Sequence, residues 1–331
     1  MRAPSSLEAL ARQVELPESL AERVALFCAE ASTAAESAAV RDSVTAAVAI
    51  GTETVLKVVE ASQASLTSTD NGVRNRGTML LADVIEALPE PDQGGGRLNE
   101  VELATLLGFF SDRLSDEPCA REALRGAASL SARCPPAPEL SPRLADALVG
   151  AADALFSAVH VQALSLSDRR NAYRVLQAGL ERGAPLAPAG PEGAVLGLTH
   201  AMDGERDPRN LVLCFGLVRA LVAAGLVRAA AEAAQLFAVF SCYFPITFTP
   251  PPGDTVGITP EQLTAGLLEC LAASPLWARD AMDLALGKLA AGELVKGRSC
   301  PLAPCRPLPS NASFSFSPPA LLSRLTQPFR E

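Results

Sequence analysis

The side chains that could do acid–base chemistry are few in this sequence and lie far apart. His160 and His200 are the two histidines among 331 residues, and they fall in different predicted helical units. A catalytic base must lie within hydrogen-bond reach of its partner group, and a metal ligand needs further ligands beside it. We therefore expect each histidine to pack or cap locally near a helix end.

The cysteines also lack the spacing of a metal site. Cys300 and Cys305 form a single C-x4-C pair, whereas a structural zinc site needs four ligands and usually a second close pair. Cys214, Cys242 and Cys270 lie on or beside apolar helical faces, where we expect small buried thiols. A role as cluster ligands would require these three to converge. The eight cysteines are typical of reduced thiols in a cytosolic or nuclear protein.

An acidic group precedes one predicted helix. Asp203, Glu205 and Asp207 have the composition of a cation site, but further oxygen ligands at loop spacing are absent. Acid is favoured beside the positive end of a helix dipole. We interpret the group as helix-start electrostatics, with Asp207 as the N-cap and Pro208 in the first turn.

The motifs of common enzyme classes are missing from the sequence. It contains no glycine-rich phosphate loop that ends in Lys-Ser/Thr and no nucleophile elbow. The sequence therefore predicts a protein that is not an enzyme. We assign no catalytic, cofactor-binding or metal-binding residue and expect no cofactor.

Composition and periodicity predict an all-α protein. Hydrophobic residues make up 49% of the chain and aromatic residues 5%, and small apolar side chains suit close helix packing. After residue 243, prolines and alternating apolar residues indicate an extended connector, which we expect to pack on neighbouring helices. Apolar residues at a period of 3.6, with Pro or Gly at most joints, predict helices near residues 5–30, 36–62, 72–88, 99–114, 118–132, 141–159, 168–182, 192–202, 208–224, 227–243, 259–273 and 276–290.

Asp residues at helix starts indicate an internal repeat. Asp70, Asp116, Asp168 and Asp207 are separated by 46, 52 and 39 residues, close to the period of about 40 to 47 residues of two-helix HEAT units. The alternative is that any all-helical chain with short loops carries an Asp cap at every second helix. We predict a HEAT-type α-solenoid of antiparallel helix pairs, in which stacked repeats bury one core and leave a surface for partners.

Two stretches fall outside the repeat pattern. Residues 90–97 contain three glycines and predict a flexible turn. From about residue 296 the sequence becomes rich in Pro and Ser and has no helical periodicity. We therefore predict a helical array over residues 1–295 and a disordered tail over residues 296–331.

Charge and hydropathy indicate protein partners. The net charge of −9 and the pI near 5.0 oppose direct nucleic-acid binding, which needs a concentrated basic surface. The longest apolar stretch, residues 211–227, is interrupted by Arg219 and is too short and polar for a membrane span. The first residues carry Glu8 and Glu15 and lack the apolar centre of a signal peptide. We expect no direct contact with nucleic acid or membrane.

Five segments resemble one family. Their order and spacing match the N-terminal region of the MMS-nineteen family over roughly residues 41–288. They are VRNRGTMLLADVI at 73–85, FFSDRLSD at 109–116, HVQALSLSDRR at 160–170, AMDGERDPRNLVLCF at 201–215 and SCYFPITFTPPPGD at 241–254.

The resemblance implies a HEAT-repeat adaptor of cytosolic iron–sulfur protein assembly, acting in nucleus and cytoplasm. Its implied partners are the assembly subunits and client DNA helicases and polymerases of replication, repair and transcription. It implies no catalysis, because members escort cluster proteins. The alternative is a general HEAT-repeat adaptor in nuclear transport or transcription.

The resemblance covers part of a longer pattern. Members are several times longer than this chain, and contacts with the assembly subunits are attributed mainly to C-terminal repeats that are missing here. We therefore expect a truncated scaffold. Residues 296–331 depart from the family pattern, and our hypothesis is that they reflect an incomplete gene model.

Overall fold

A computed structural model of the protein describes residues 16–89, 98–186, 193–249 and 257–292, which contain helices, turns and loops and no strand. Short 3-10 turns precede α8 and α13. The α-helices are α1 (Leu20–Cys28), α2 (Ala34–Ala49), α3 (Val55–Leu66), α4 (Asn71–Glu86), α5 (Glu100–Arg113), α6 (Ala120–Arg133), α7 (Pro142–Ala158), α8 (Leu166–Arg182), α9 (Gly193–Met202), α10 (Pro208–Ala223), α11 (Ala230–Ser241), α12 (Pro260–Leu271) and α13 (Ala278–Ala290).

The helices stack in two layers. In one layer α4, α6, α8, α10 and α12 each contact the next, and in the other α5, α7, α9 and α11 do the same. Across the layers, α3 pairs with α4, α5 with α6, α7 with α8, α9 with α10 and α11 with α12. One continuous apolar core runs from Val24 in α1 to Trp277 before α13. The prediction of a HEAT-type α-solenoid is confirmed.

Two predicted helices differ from the structure. The helix expected over residues 36–62 is wrong, because the chain forms α2 and α3 there. Ile50 ends α2, Gly51 follows with φ of 79°, and Thr54 caps the N-terminus of α3. Glycine adopts this left-handed backbone without the steric cost that a Cβ brings. The first helix of the described residues begins at Leu20, and residues 16–19 before it are not helical, so the helix predicted near residues 5–30 is not continuous. Residues 1–15 lie outside the described part.

The Asp landmarks divide into two groups. Asp70 and Asp207 are N-caps, as predicted: Asp70 accepts a hydrogen bond from the Val73 backbone N–H, and Asp207 caps α10. Asp116 and Asp168 are not N-caps. The cap position of α6 is Cys119, and Ser165 caps α8.

Ion pairs between successive repeats explain why acidic residues recur at these positions. Arg74 in α4 donates to Asp116, with 2.9 Å between Nη2 and Oδ1, and Arg121 in α6 lies 3.1 Å from Asp168 Oδ2. Each arginine follows a helix start and reaches an acid about one repeat later in the chain. The regular spacing of these Asp residues therefore arises from two causes: helix capping and a ladder of Arg–Asp ion pairs between successive repeats.

The connector after α11 packs as predicted. Phe244, Ile246 and Phe248 are half-buried and lie against the core. The three prolines that follow, residues 250–252, lie outside the described residues. The same holds for residues 90–97 and 296–331, so the flexible turn, the disordered tail and the gene-model hypothesis stay predictions.

Candidate functional site

A buried ion pair lies between α8 and the loop before α10. The side chain of Glu205 is fully buried, and Arg169 donates two parallel hydrogen bonds to it: Nε to Oε2 at 2.8 Å and Nη2 to Oε1 at 2.9 Å. Asn210 Nδ2 donates to Oε2 at 3.1 Å, and the hydroxyl of Tyr173 lies 3.1 Å from the same oxygen. The pair is thus enclosed by polar groups of two helices.

Backbone groups complete the shell around Glu205. The amides of Arg206 and Asp207 donate to Oε1 at 2.9 and 3.0 Å. The hydroxyl of Tyr243 lies 2.9 Å from the backbone carbonyl oxygen of Glu205, and its ring packs edge-on against Phe215 at 6.0 Å. We call Arg169, Tyr173, Glu205, Asn210 and Tyr243 the polar network.

The polar network joins segments that are distant in the sequence. Arg169 belongs to residues 160–170, Glu205 to residues 201–215 and Tyr243 to residues 241–254. These are three of the five segments that carry the family resemblance. The structure therefore places them in one contiguous unit.

The network keeps Glu205 ionised. Burial alone would raise the pKa of Glu205, but hydrogen bonds from Arg169 and the two backbone amides outweigh it, so the pKa is lowered. The hydrogen bond to Glu205 raises the pKa of Arg169. Both carboxylate oxygens are engaged in hydrogen bonds, and the arrangement fixes the positions of α8 and α10.

The interpretation of the acidic group as helix-start electrostatics is correct for Asp207, but for Glu205 it leaves out the ion pair with Arg169. Asp207 Oδ1 accepts from the backbone amides of Arg209 and Asn210, which is the predicted helix cap. Glu205 is a long-range partner, 36 residues from Arg169. The sequence did not predict that pairing, because its one local sign is the adjacent Arg169 and Arg170 at the start of the preceding repeat helix, which does not identify a partner.

The histidines do not form a site with the network. His160 is exposed and its side chain caps no helix, so the expectation that it packs or caps is wrong. His200 is also exposed, so its side chain is not packed in the core. The backbone carbonyl of His200 accepts a hydrogen bond from Gln162 at 3.1 Å. A cavity of about 190 Å³ opens beside the network and is lined by Gln162, Arg169, Ala201, Gly204, Glu205 and Arg206.

Of the three cysteines predicted to be buried, Cys214 and Cys270 are buried. Burial raises the pKa of Cys214 far above its usual value and that of Cys270 to about 12, which disfavours the thiolate that binds metal. Cys242 is exposed at the end of α11, so the prediction that it is buried is wrong. Among the described residues no three His, Cys, Asp or Glu side chains are arranged to hold a metal ion. Cys300 and Cys305 lie outside them.

A second concavity runs along the surface between α6 and α8, which we call the α6–α8 groove. Its volume is about 340 Å³, and its lining includes Arg133, Arg174 and Arg182 together with Glu86 and Glu181. The groove is open and polar, unlike the apolar, enclosed pockets that bind most small molecules.

None of the helices in the described residues is long and apolar enough to cross a membrane.

The fold and the polar network define a class. Stacked helix pairs with one core, ion pairs between repeats and open polar surfaces make up a HEAT-type α-solenoid scaffold. Residues 59–298 match the family model described as Dos2-interacting transcription regulator of RNA-Pol-II, the N-terminal MMS19 model. The chain belongs to the MMS19 family.

Individual relatives agree with this assignment. The chain is 36% identical over 253 residues to the mouse MMS19 nucleotide excision repair protein homolog, and 33% identical over 241 residues to the Arabidopsis thaliana protein of that name. These matches cover 75% and 71% of the chain but 23% and 20% of the relatives. The chain thus spans about a fifth to a quarter of the length of these relatives.

Proposed function

We propose that this chain is a non-catalytic scaffold in an adaptor for cytosolic iron–sulfur protein assembly, which delivers clusters to apoproteins of DNA replication and repair. Its partners are the assembly subunits and client DNA helicases and polymerases, and it works in nucleus and cytoplasm. Membership of the MMS19 family supports the proposal. The relatives are named nucleotide excision repair protein homologs.

The polar network is the observation that carries the scaffold role. Its arginine, tyrosine and carboxylate side chains are the kinds of groups that enzymes use, yet here they bind one another and the backbone around Glu205. Groups so engaged hold helices in register and are unavailable to a substrate. Function then resides in surfaces that the rigid array presents, as in other solenoid proteins.

A second candidate function is an adaptor in transcription. The description of the matching family model names a transcription regulator of RNA polymerase II. Such an adaptor shares every feature of the fold and differs only in its partner. The test must therefore identify the partner.

Binding of a purified client tests the proposal. The full chain is immobilised and exposed to the apoprotein of a DNA helicase that carries an iron–sulfur cluster, and separately to a related helicase without a cluster site and to RNA polymerase II. The proposal predicts selective retention of the cluster helicase. Equal retention of both helicases, or retention of the polymerase alone, would contradict it.

A longer chain serves as the positive control. It continues the array with the remaining repeats of the mouse relative. Retention of the helicase by the longer chain alone would assign client binding to repeats beyond those described.

A further inference from the structure

The three arginines of the α6–α8 groove differ in how they are paired within the protein. Arg174 is exposed, and among the described residues no carboxylate lies within ion-pair distance of it. Arg133 and Arg182 donate to backbone carbonyl oxygens, at distances between 2.6 and 2.8 Å. Nε of Arg182 is buried, and no hydrogen-bond partner for it occurs in the described part of the chain.

The two carboxylates of the groove already have internal partners. Glu86 accepts from Arg125 at 2.8 Å, and Glu181 accepts from the side-chain amide of Gln177 at 2.7 Å. These contacts hold both acids on the groove wall. Arg174, in contrast, has no hydrogen-bond or ion-pair partner among the described residues.

Further positive charge adjoins the groove on the side of α10. Arg170 and Arg209 share one carboxylate: Asp207 lies 4.0 Å from Arg170 and 2.9 Å from Arg209. Arg170 and Arg209 both keep part of their side chains in solvent, and Arg170 lies close enough to Arg174 to feel its charge. Burial lowers the pKa of Arg170, and the neighbouring charges of Arg209 and Arg174 lower it further, so the positive charges repel one another here.

We propose that the α6–α8 groove, with the adjoining Arg170 and Arg209, binds an acidic segment of a protein partner. Guanidinium groups present planar donors that match a carboxylate in two parallel hydrogen bonds. Asn171, which also lines the groove, offers an amide for the peptide backbone. The inference rests on the proposed function in one respect, namely that the array binds proteins.

The same surface disfavours nucleic acid. A nucleic-acid strand presents a continuous row of phosphates, and Glu86 and Glu181 in the groove oppose such a row. A peptide with spaced carboxylates can avoid the two acids and still reach the arginines.

Direct binding to the full chain tests the inference. The probe is a fluorescein-labelled peptide of alternating Glu and Ser, compared with a Gln–Ser peptide and a single-stranded oligothymidylate, and binding is followed by fluorescence anisotropy. Arg174→Glu should weaken binding of the acidic peptide by about tenfold or more, the loss of one charge-assisted contact. Arg143→Glu is the matched control, because Arg143 is exposed on α7, a helix of the other layer.

The outcomes separate the inference from the proposed function. Binding of the Glu peptide that falls with added salt and with Arg174→Glu, but not with Arg143→Glu, supports the inference. Absent binding, equal binding by both variants, or preference for the oligothymidylate overturns it. Thermal melting verifies that both variants are folded, and retention of the client helicase, measured separately, reports on the proposed function whatever the peptide does.

Discussion

Arg169 and Glu205 link two successive repeats through two parallel hydrogen bonds of 2.8 and 2.9 Å. The pair is more than a surface ion pair, since the Glu205 side chain is fully buried and that of Arg169 is 20% exposed. Tyr243 adds a third segment through the Glu205 backbone carbonyl. The relationship fixes how α8, α10 and the chain after α11 sit together.

Removing the carboxylate should destabilise the protein strongly. Glu205→Ala leaves the guanidinium of Arg169 without its partner in a largely buried site, and breaking a buried pair in this way costs about 3 to 5 kcal/mol. Urea unfolding followed by circular dichroism measures the change. Glu261→Ala, at an exposed position in the first turn of α12, should shift the unfolding midpoint only slightly, because it removes no more than a helix-dipole contribution at the surface. Equal midpoints for the two variants would show that the pair does not stabilise the fold.

Phe215 tests the packing of the same region. Its ring is 1% exposed and contacts Tyr243 edge-on, so Phe215→Ala should cost about 3 to 5 kcal/mol. Val212 lies on the same helix with 36% exposure, and Val212→Ala should cost less than about 1 kcal/mol. Unfolding free energies of the two variants give the comparison. A loss below about 1 kcal/mol for Phe215→Ala would mean that this face is not core.

A close approach between α5 and α6 depends on glycine. A Cβ at Gly126 would lie 2.5 Å from the ring of Phe110, which is fully buried. Gly126→Ala should therefore lower the melting temperature. Gly108→Ala is the control, since nothing lies within 4 Å of a Cβ there and alanine favours a helix by up to about 1 kcal/mol over glycine. Melting temperatures that shift in the same direction would contradict this packing.

The fold was largely predictable from the sequence, because the signals that define a helix lie within the helix and at its ends. Apolar residues at a period of 3.6 and the N-caps Asp70 and Asp207 gave most elements within a few residues. The joint at Gly51 was missed, because the apolar pattern continues through it and one glycine is a weak signal. Cys242 was wrongly predicted to be buried. It lies just after α11, where the helical period of apolar residues no longer defines which side chains face the core.

The site was less predictable because its contacts are long-range. Acids at residues 205 and 207 look alike in sequence, yet one pairs with Arg169 in the preceding repeat and the other caps its own helix. Asp116 resembles a cap in the same way and is an ion-pair partner of Arg74 instead. Local spacing cannot separate these roles, because the deciding neighbour lies about one repeat away.

The ladder of ion pairs should make the stability of the folded protein depend on pH. The hydrogen bond from Arg74 is the main reason that the pKa of Asp116 falls from 3.8 to about 2. A lowered pKa in the folded state stabilises the protein above the unfolded pKa, and the contribution disappears as the pH falls through the folded value. Stability should therefore drop between about pH 4 and pH 2. Urea titrations across this range should show a shallower drop for Asp116→Asn, and parallel curves would contradict the assignment.

Affinity purification from cell extract tests the adaptor account most directly. The tagged full chain is recovered and its accompanying proteins are identified, with Glu205→Ala, expected to be destabilised, as the control for non-specific binding. The account predicts enrichment of iron–sulfur assembly subunits and client helicases or polymerases with the wild-type chain. Recovery of RNA polymerase II or nuclear-transport proteins without any assembly subunit would contradict it.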